Sequence, residues 1–338
     1  MEQSNLTILP LDRARAQWRS LLSGNPRAQI YHGERWIEGL RRSYGFEFQA
    51  ALLDKEVRAG CVFARARRPF RRDFIALPFS DACPPLAGDR ESENDLLAEL
   101  SRLRRVDSFQ IRGVTGARPW RNLTCFLSWE IDISQSIEQL QRLMASNFRR
   151  NIVKARKSAI LVECGGTPAH LSRFYALHSQ ARRRNGLPCQ PFRFFRHIHE
   201  IFGTDAELWF ARRNGEDLAS DFLLREQDRL YYKWGARGPN DNYGASHLLL
   251  WSVIERHAGQ ARSFDLGRTD ERNTGLNRFK HELGGLSTPL PYAYFPQAPE
   301  NVSAEVLSGK RLMMARIWRR MPPVFCRTIE RFLYGYLS

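Results

Sequence analysis

No run of about 18 apolar residues occurs in the 338-residue chain, so no bilayer-crossing helix is expected. The opening stretch MEQSNLTILPLDRARAQW lacks the charged-then-apolar order of a secretory leader. Cysteine is sparse. Cys61, Cys83, Cys125, Cys164, Cys189 and Cys326 form no CxxC pair, which predicts reduced thiols rather than disulfides or zinc ligands. Together these absences predict a cytoplasmic protein. His197 and His199 have no acids at ligand spacing, so no metal is expected. No GxSxG motif occurs, and no cysteine stands in a basic context with histidine, which excludes the common nucleophile designs. A covalent intermediate is therefore not implied, and direct attack is. Neither a repeat nor a low-complexity segment is present, and the 17 prolines are not excessive.

Lysine is scarce as well. Only Lys55, Lys154, Lys157, Lys233, Lys280 and Lys310 stand among 52 basic residues. In so arginine-rich a chain, a lysine marks a place for a compact cation able to change protonation state. What is abundant is positive charge. The formal net charge of +16 points to a polyanionic partner: RNA, an anionic membrane or a phosphate-bearing substrate.

Periodicity divides the chain into two similar halves. In the first, a helix over 34–43 precedes a hairpin over 48–53 and 58–66. A strand over 73–77, a helix over 95–103 and strands over 108–112 and 123–131 follow. In the second, a long helix over 136–158 leads to a strand over 160–164 and helices over 167–184 and 191–202. Strands over 207–212, 218–224 and 229–235 come next, the first two joined by an Asn214-Gly215 hairpin. A helix over 246–258, a strand over 263–267, a helix near 275–283 and a strand over 290–295 complete it. This order predicts two α/β modules with mixed sheets, packed side by side, over 1–132 and 133–300. Residues 301–338 form a basic, amphipathic tail with 7 basic and 2 acidic residues, suited to an anionic membrane surface or to packing on the first module.

Chemistry gathers in a few stretches. Phe264-Asp265-Leu266-Gly267-Arg268-Thr269 is a strand running into a polar turn, and Gly275–Lys280 is the helix start beyond it. Asp265 and Lys280, with Arg268 between, put a carboxylate and a cation around one turn, with Lys280 expected near the helix N-terminus. Six cations (Arg142, Arg149, Arg150, Lys154, Arg156 and Lys157) occur with no acid from Gln139 to Val162. Arg149, Arg150, Lys154 and Lys157 share a helix face and form an expected phosphate site for a tRNA acceptor stem, a nucleotide-linked sugar or a lipid pyrophosphate. Asp81 ends the Leu77-Pro78-Phe79-Ser80-Asp81 turn, where it either contacts an acceptor amine or makes an ordinary Asx turn. Tyr231, Lys233, Trp234, Tyr243 and His247 are further candidates for lining the substrate. The Asp241–Ser246 loop departs from a coenzyme A pyrophosphate loop, because Asp241 would repel pyrophosphate.

Several of these phrases resemble one family. Phe264–Thr269 with Gly275–Lys280 is similar to the "DFGR … GL-x-x-FK" segment of FemAB-like transferases, with Leu266 where that pattern has Phe. Ser146–Lys157 resembles the family's "R-x-NI-x-KA-x-K" helix, and Tyr243 with His247–Trp251 resembles its donor-side helix. Leu77–Asp81 resembles the "LPFSD" turn of members linked to exosortase/PEP-CTERM exopolysaccharide systems. Over roughly 30–300 the resemblance implies two tandem GNAT-like modules and a role for Lys280 in catalysis. It implies an N-acyltransferase that places an acyl or aminoacyl group on an amine of a cell-envelope peptide or sugar precursor, in peptidoglycan or exopolysaccharide synthesis. The donor would be aminoacyl-tRNA or acyl-CoA, with no tightly bound cofactor and no DNA partner. A lipid-linked acceptor would give residues 308–338 a place at the inner face of the membrane. An acyl-CoA-dependent acetyltransferase, and a non-catalytic RNA- or envelope-binding protein, are the alternatives.

Overall fold

A computed structural model describes residues 5–299, apart from 67–70, 105, 240 and 242, together with Arg316, Trp318 and Arg319. Apart from those three residues, the expected amphipathic tail lies outside the described residues. The chain groups into two compact units: residues 1–126, 289–302 and 331–338 in the first, and 127–288 and 303–330 in the second.

Unit 1 opens with β1 (Leu6–Pro10), α1 (Arg15–Leu22) and α2 (Glu34–Tyr44). Then come β2 (Phe48–Leu53), β3 (Ala59–Arg65), β4 (Asp73–Ile75), the two-residue β5 (Leu86–Ala87), α3 (Arg90–Ser101) and β6 (Ser108–Arg112). The strand order is β1-β2-β3-β4-β6. β2 and β3 form the hairpin expected from the sequence, in the register Leu53↔Ala59, with Asp54 and Val57 left-handed in its turn. β1 and α1 carry too few apolar positions to stand out by period alone, and Trp18 is the one buried side chain of α1.

Unit 2 begins within β7 (Arg121–Asp132) and ends within β13 (Leu286–Phe295). Between them lie α4 (Ile137–Leu143), α5 (Ser146–Lys157), β8 (Leu161–Gly165), α6 (Pro168–Arg184) and α7 (Phe192–Phe202). β9 (Ala206–Arg213), β10 (Glu216–Glu226), β11 (Arg229–Arg237), α8 (Ala245–His257), β12 (Ser263–Asp270) and α9 (Thr274–Glu282) follow. The strand order is β7-β12-β11-β10-β9-β8. The β8–β9, β9–β10 and β10–β11 pairs are antiparallel and β11–β12 is parallel, so the sheet is mixed, as expected. The sequence grouped the strand over 290–295 with the second module, but the residues of β13 from Pro289 onward pack with unit 1.

The single helix expected over 136–158 is two. Ser136 caps α4 with a capping box, the chain turns extended at Met144 and Ala145, and α5 starts afresh. Met144 is buried there, and the Ala145 N–H donates to the Glu282 carbonyl at 2.9 Å, which ties the break to α9. Asn147 Nδ2 adds a bond to Glu282 Oε2 at 3.0 Å. No sequence period reports such a tertiary tie.

α5 and α8 cover one face of the unit 2 sheet. Phe148 and Ile152 of α5 and Leu249 and Trp251 of α8 meet Trp209, Leu223 and Phe264 there. The other face holds an aromatic cluster of Phe174, Phe194, Phe195, Phe222 and Trp234 with ring centroids 5.1–6.4 Å apart. Each such ring contributes about 1.5–3 kcal/mol by burial.

Candidate functional site in unit 2

β11 and β12 pair only over Arg229↔Ser263, Leu230↔Phe264 and Tyr231↔Asp265. Beyond that point both strands run on, to Arg237 and Asp270, without pairing to each other. The result is a fork between parallel strands. Two local devices make it. On β11, Phe222↔Trp234 is followed by Leu223↔Tyr232, so Lys233 is the extra residue of a β-bulge that bends the strand. On β12, Gly267 adopts a φ of +72°, a left-handed turn inside a strand that glycine takes without strain.

Asp265 and Lys280 meet at that glycine. The Gly267 N–H donates to Asp265 Oδ1 at 2.6 Å. Lys280 Nζ donates to the Gly267 carbonyl at 3.0 Å and to the Arg268 carbonyl at 3.3 Å. Lys280 lies in the last turn of α9, not the first as the sequence suggested, and only 5% of it is exposed. Asn273 caps that helix instead, accepting from the Leu276 N–H at 3.0 Å. The carboxylate and the ammonium thus hold the kinked stretch of β12 from its N–H and its C=O sides. Arg268, half-buried, is the next residue along.

The remaining candidates sort by position. Tyr231 is fully buried and Trp234 nearly so, the latter 5.1 Å from Phe195 and 5.2 Å from Phe222 between ring centroids. Lys233, half-buried, has its ammonium 5.9 Å from the Trp234 ring centroid. Tyr243 lies under the Arg213 guanidinium, 4.4 Å from its ring centroid. His247, in the first turn of α8, packs 4.5 Å from Phe148 and 5.0 Å from Phe279, and burial there holds its pKa below the ordinary value. Arg149, Arg150, Lys154 and Lys157 all project from the exposed face of α5. Arg156 is ion-paired to Glu255 of α8 at 3.1 Å. α5 is tied to α9 through Glu282 and touches the loop before α8. A Cβ on Gly244 would sit 2.7 Å from the Asn151 carbonyl oxygen.

Asp81 belongs to unit 1. Tyr31 donates to its Oδ2 at 2.6 Å and Tyr292 to its carbonyl at 3.0 Å. Its turn holds two non-glycine residues in the left-handed region, Leu77 at φ 43° and Phe79 at φ 61°. A cavity of about 240 Å³ in the same unit, lined by Ile8, Phe63, Arg65, Arg72 and Phe74 among others, contains none of the candidate residues.

Two acids carry more than the sequence assigned them. Asp241, 2% exposed, fills the N-terminus of α8: Oδ1 accepts from the Ala245 N–H at 2.9 Å and Oδ2 from the Ser246 hydroxyl at 3.2 Å. Arg237 Nε reaches Oδ2 at 3.1 Å. A helix N-terminus is an anion site, and here the chain's own carboxylate occupies it. The second is Asp221, buried in β10. Its signal was present in the sequence as one acid inside the apolar run Leu218–Leu224. Among the described residues there is no group of three or more His, Cys, Asp or Glu able to hold a metal, and no helix long and apolar enough to cross a membrane.

The fork thus lies between β11, which leads into the α8 N-terminus, and β12, which leads into the capped α9. Residues 142–281 match the model of the Acetyltransferase (GNAT) domain family. A UDP-N-acetylmuramoylpentapeptide-lysine N(6)-alanyltransferase from Weissella viridescens is 21% identical over 143 residues, 41% of this chain. That match spans only 43% of the relative's own length. The crystal structure of FemX superposes with a TM-score of 0.63 at 13% identity, covering 82% of this chain and 95% of that one. A tandem GNAT protein from the clavulanic acid biosynthesis pathway gives a TM-score of 0.53 at 12% identity, covering 88% of this chain and 100% of that one. Residues 142–281 thus carry a GNAT domain, and the chain shares its fold with FemX and with a tandem GNAT protein.

Proposed function

We propose that this chain transfers an aminoacyl group from aminoacyl-tRNA to an amine of a peptidoglycan-type precursor, by direct attack of the amine on the acyl carbonyl. The observation that carries the proposal is the β11–β12 fork, closed at one end by the Tyr231↔Asp265 pair and shaped by Lys233 and Gly267. The acyl end of the donor enters the fork past Tyr231 and Trp234. Asp265, Lys280 and Arg268 form the chemical centre by fixing the β12 edge that the acyl group meets. The exposed cations Arg149, Arg150, Lys154 and Lys157 hold the donor's phosphates, and Tyr243 and His247 line the path between. The acceptor class follows the alanyltransferase relative, whose printed substrate is a muramoyl-pentapeptide lysine. Such a precursor is met in the cytoplasm. Residues 308–338, of which only Arg316, Trp318 and Arg319 are described, carry the proposed contact with the inner face of the membrane.

An acyl-CoA donor is the second reading, favoured by the GNAT family match. Asp241 weighs against it. The α8 N-terminus that would receive a pyrophosphate already holds a carboxylate. Equilibrium binding separates the two. Alanyl-tRNA binds with salt-sensitive affinity, excess coenzyme A does not displace it, and the double substitution Arg150→Glu and Lys154→Glu weakens it. Displacement by coenzyme A, or an unaltered affinity in the double variant, contradicts the proposal.

A further inference from the structure

Asp221 stands in the middle of β10, paired with Trp209 of β9 on one side and with Gly235 of β11 on the other. It is 5% exposed. A buried carboxyl with no cation beside it destabilises a fold, and an aliphatic side chain would pack there at no such cost. Among the described residues no charged side chain of β9, β11 or α8 acts on it. Trp209 Nε1 is turned to Glu207 at 2.7 Å, and His257 also goes to Glu207. The one side chain acting on Asp221 is Tyr232, whose hydroxyl bonds its carboxyl. Burial pushes the Asp221 carboxyl up to about 8 and the Tyr232 phenol upward.

Gly235 makes this pairing possible. A Cβ there would lie 1.7 Å from Tyr232 Oη and 3.0 Å from Asp221 Oδ1. The missing side chain is the space in which hydroxyl and carboxyl meet. Tyr232 is also the first residue of β11 past the closed end of the fork, next to the bulge at Lys233. One end of the pair is thus locked in the sheet, and the other begins where the fork opens.

We infer that Tyr232 and Asp221 form the proton relay of the transfer reaction, with Tyr232 the catalytic group at the amine and Asp221 the positioning residue behind it. This rests on the acyl-transfer function proposed above. The amine nitrogen donates its lone pair to the acyl carbon, and the carbonyl π electrons move to oxygen. The Tyr232 proton passes to the donor oxygen as the Asp221 carboxyl proton passes to Tyr232. Collapse of the tetrahedral adduct breaks the bond from the acyl carbon to the donor oxygen. The surplus amine proton returns through Tyr232 to the Asp221 carboxylate, which leaves an amide, a free hydroxyl and a protonated Asp221. A carboxyl titrating near neutrality suits both halves of this exchange.

The test uses the full chain with alanyl-tRNA as donor and UDP-N-acetylmuramoyl-pentapeptide as acceptor. Tyr232→Phe and Asp221→Asn each lower kcat at least about tenfold with KM within about twofold. The double variant is no slower than the worse single one, because two members of one relay fail as a unit. Infrared spectra at pH 7 show a protonated-carboxyl band that Asp221→Asn removes. Variants that keep kcat within twofold while the wild type turns over overturn the relay alone. So do losses that multiply in the double variant, unfolding of either variant at assay temperature, or absence of the infrared band. A wild-type chain that transfers nothing overturns the acyl-transfer reading, and the relay with it.

Discussion

Gly267 is bound from both sides, its N–H by Asp265 and its carbonyl by Lys280, at a φ of +72°. Any other residue there carries backbone strain of about 1–3 kcal/mol. Gly267→Ala should therefore lower unfolding free energy by that amount in urea melts, with turnover falling as the β12 edge shifts. Lys280→Met leaves two buried carbonyls unmet, at about 1–3 kcal/mol, so it should lower both stability and transfer. A variant with wild-type stability and turnover would remove the clamp from the account. The sequence showed that Asp265, Gly267 and Lys280 belong together, because a carboxylate, a glycine and a rare lysine surround one turn. It did not show how. The side-chain hydrogen bonds depend on where α9 packs, and Lys280 falls in the last turn because α9 is short, running only from Thr274 to Glu282.

At the level of elements, donor choice is proposed to rest on α5 and α8. Asp241 caps α8, and Asp241→Ala should cost about 1 kcal/mol of stability, as loss of an N-terminal cap does. It should also let that helix end accept an external anion, measured as new coenzyme A binding by calorimetry. No gain in coenzyme A binding would mean that the carboxylate does not set donor choice. The exposed face of α5 predicts a salt slope. Replacing Arg150 and Lys154 by glutamate should reduce the slope of log affinity against log salt for alanyl-tRNA by about 1.5. An unchanged slope would place the phosphates elsewhere. Most strands and helices of unit 2 were legible from their periods and from signals such as Thr167-Pro168 and Asn214-Gly215. The break between α4 and α5 was not, because Met144 and the Ala145–Glu282 bond are tertiary features inside a stretch of good helix formers.

The whole molecule carries a net charge of +16 and keeps two buried histidines neutral. Burial pushes His32 of unit 1 down to about 4 and His178 of unit 2 to about 3, from an ordinary 6.5. Their folded pKa values are depressed, so the unfolded chain takes up these protons first. Stability is full above pH 6.5 and drains as pH falls, by up to about 1.4 kcal/mol per pH unit for each histidine, until the folded-state values are reached. Urea melts from pH 7 to 4.5 should show this loss, and His178→Leu should reduce its slope. A slope unaltered in that variant would contradict the assignment. The positive charge of the chain was legible from composition, whereas the fork was not, because strand separation comes from a bulge and a left-handed glycine that no hydropathy period records. The central claim is that the fork serves an aminoacyl donor. Its most direct test offers the purified chain carbon-14-labelled alanyl-tRNA and carbon-14-labelled acetyl-CoA in parallel, each with UDP-N-acetylmuramoyl-pentapeptide, and counts label in the acceptor. The account predicts label from alanyl-tRNA and none from acetyl-CoA. Label from acetyl-CoA alone, or from neither, would contradict it.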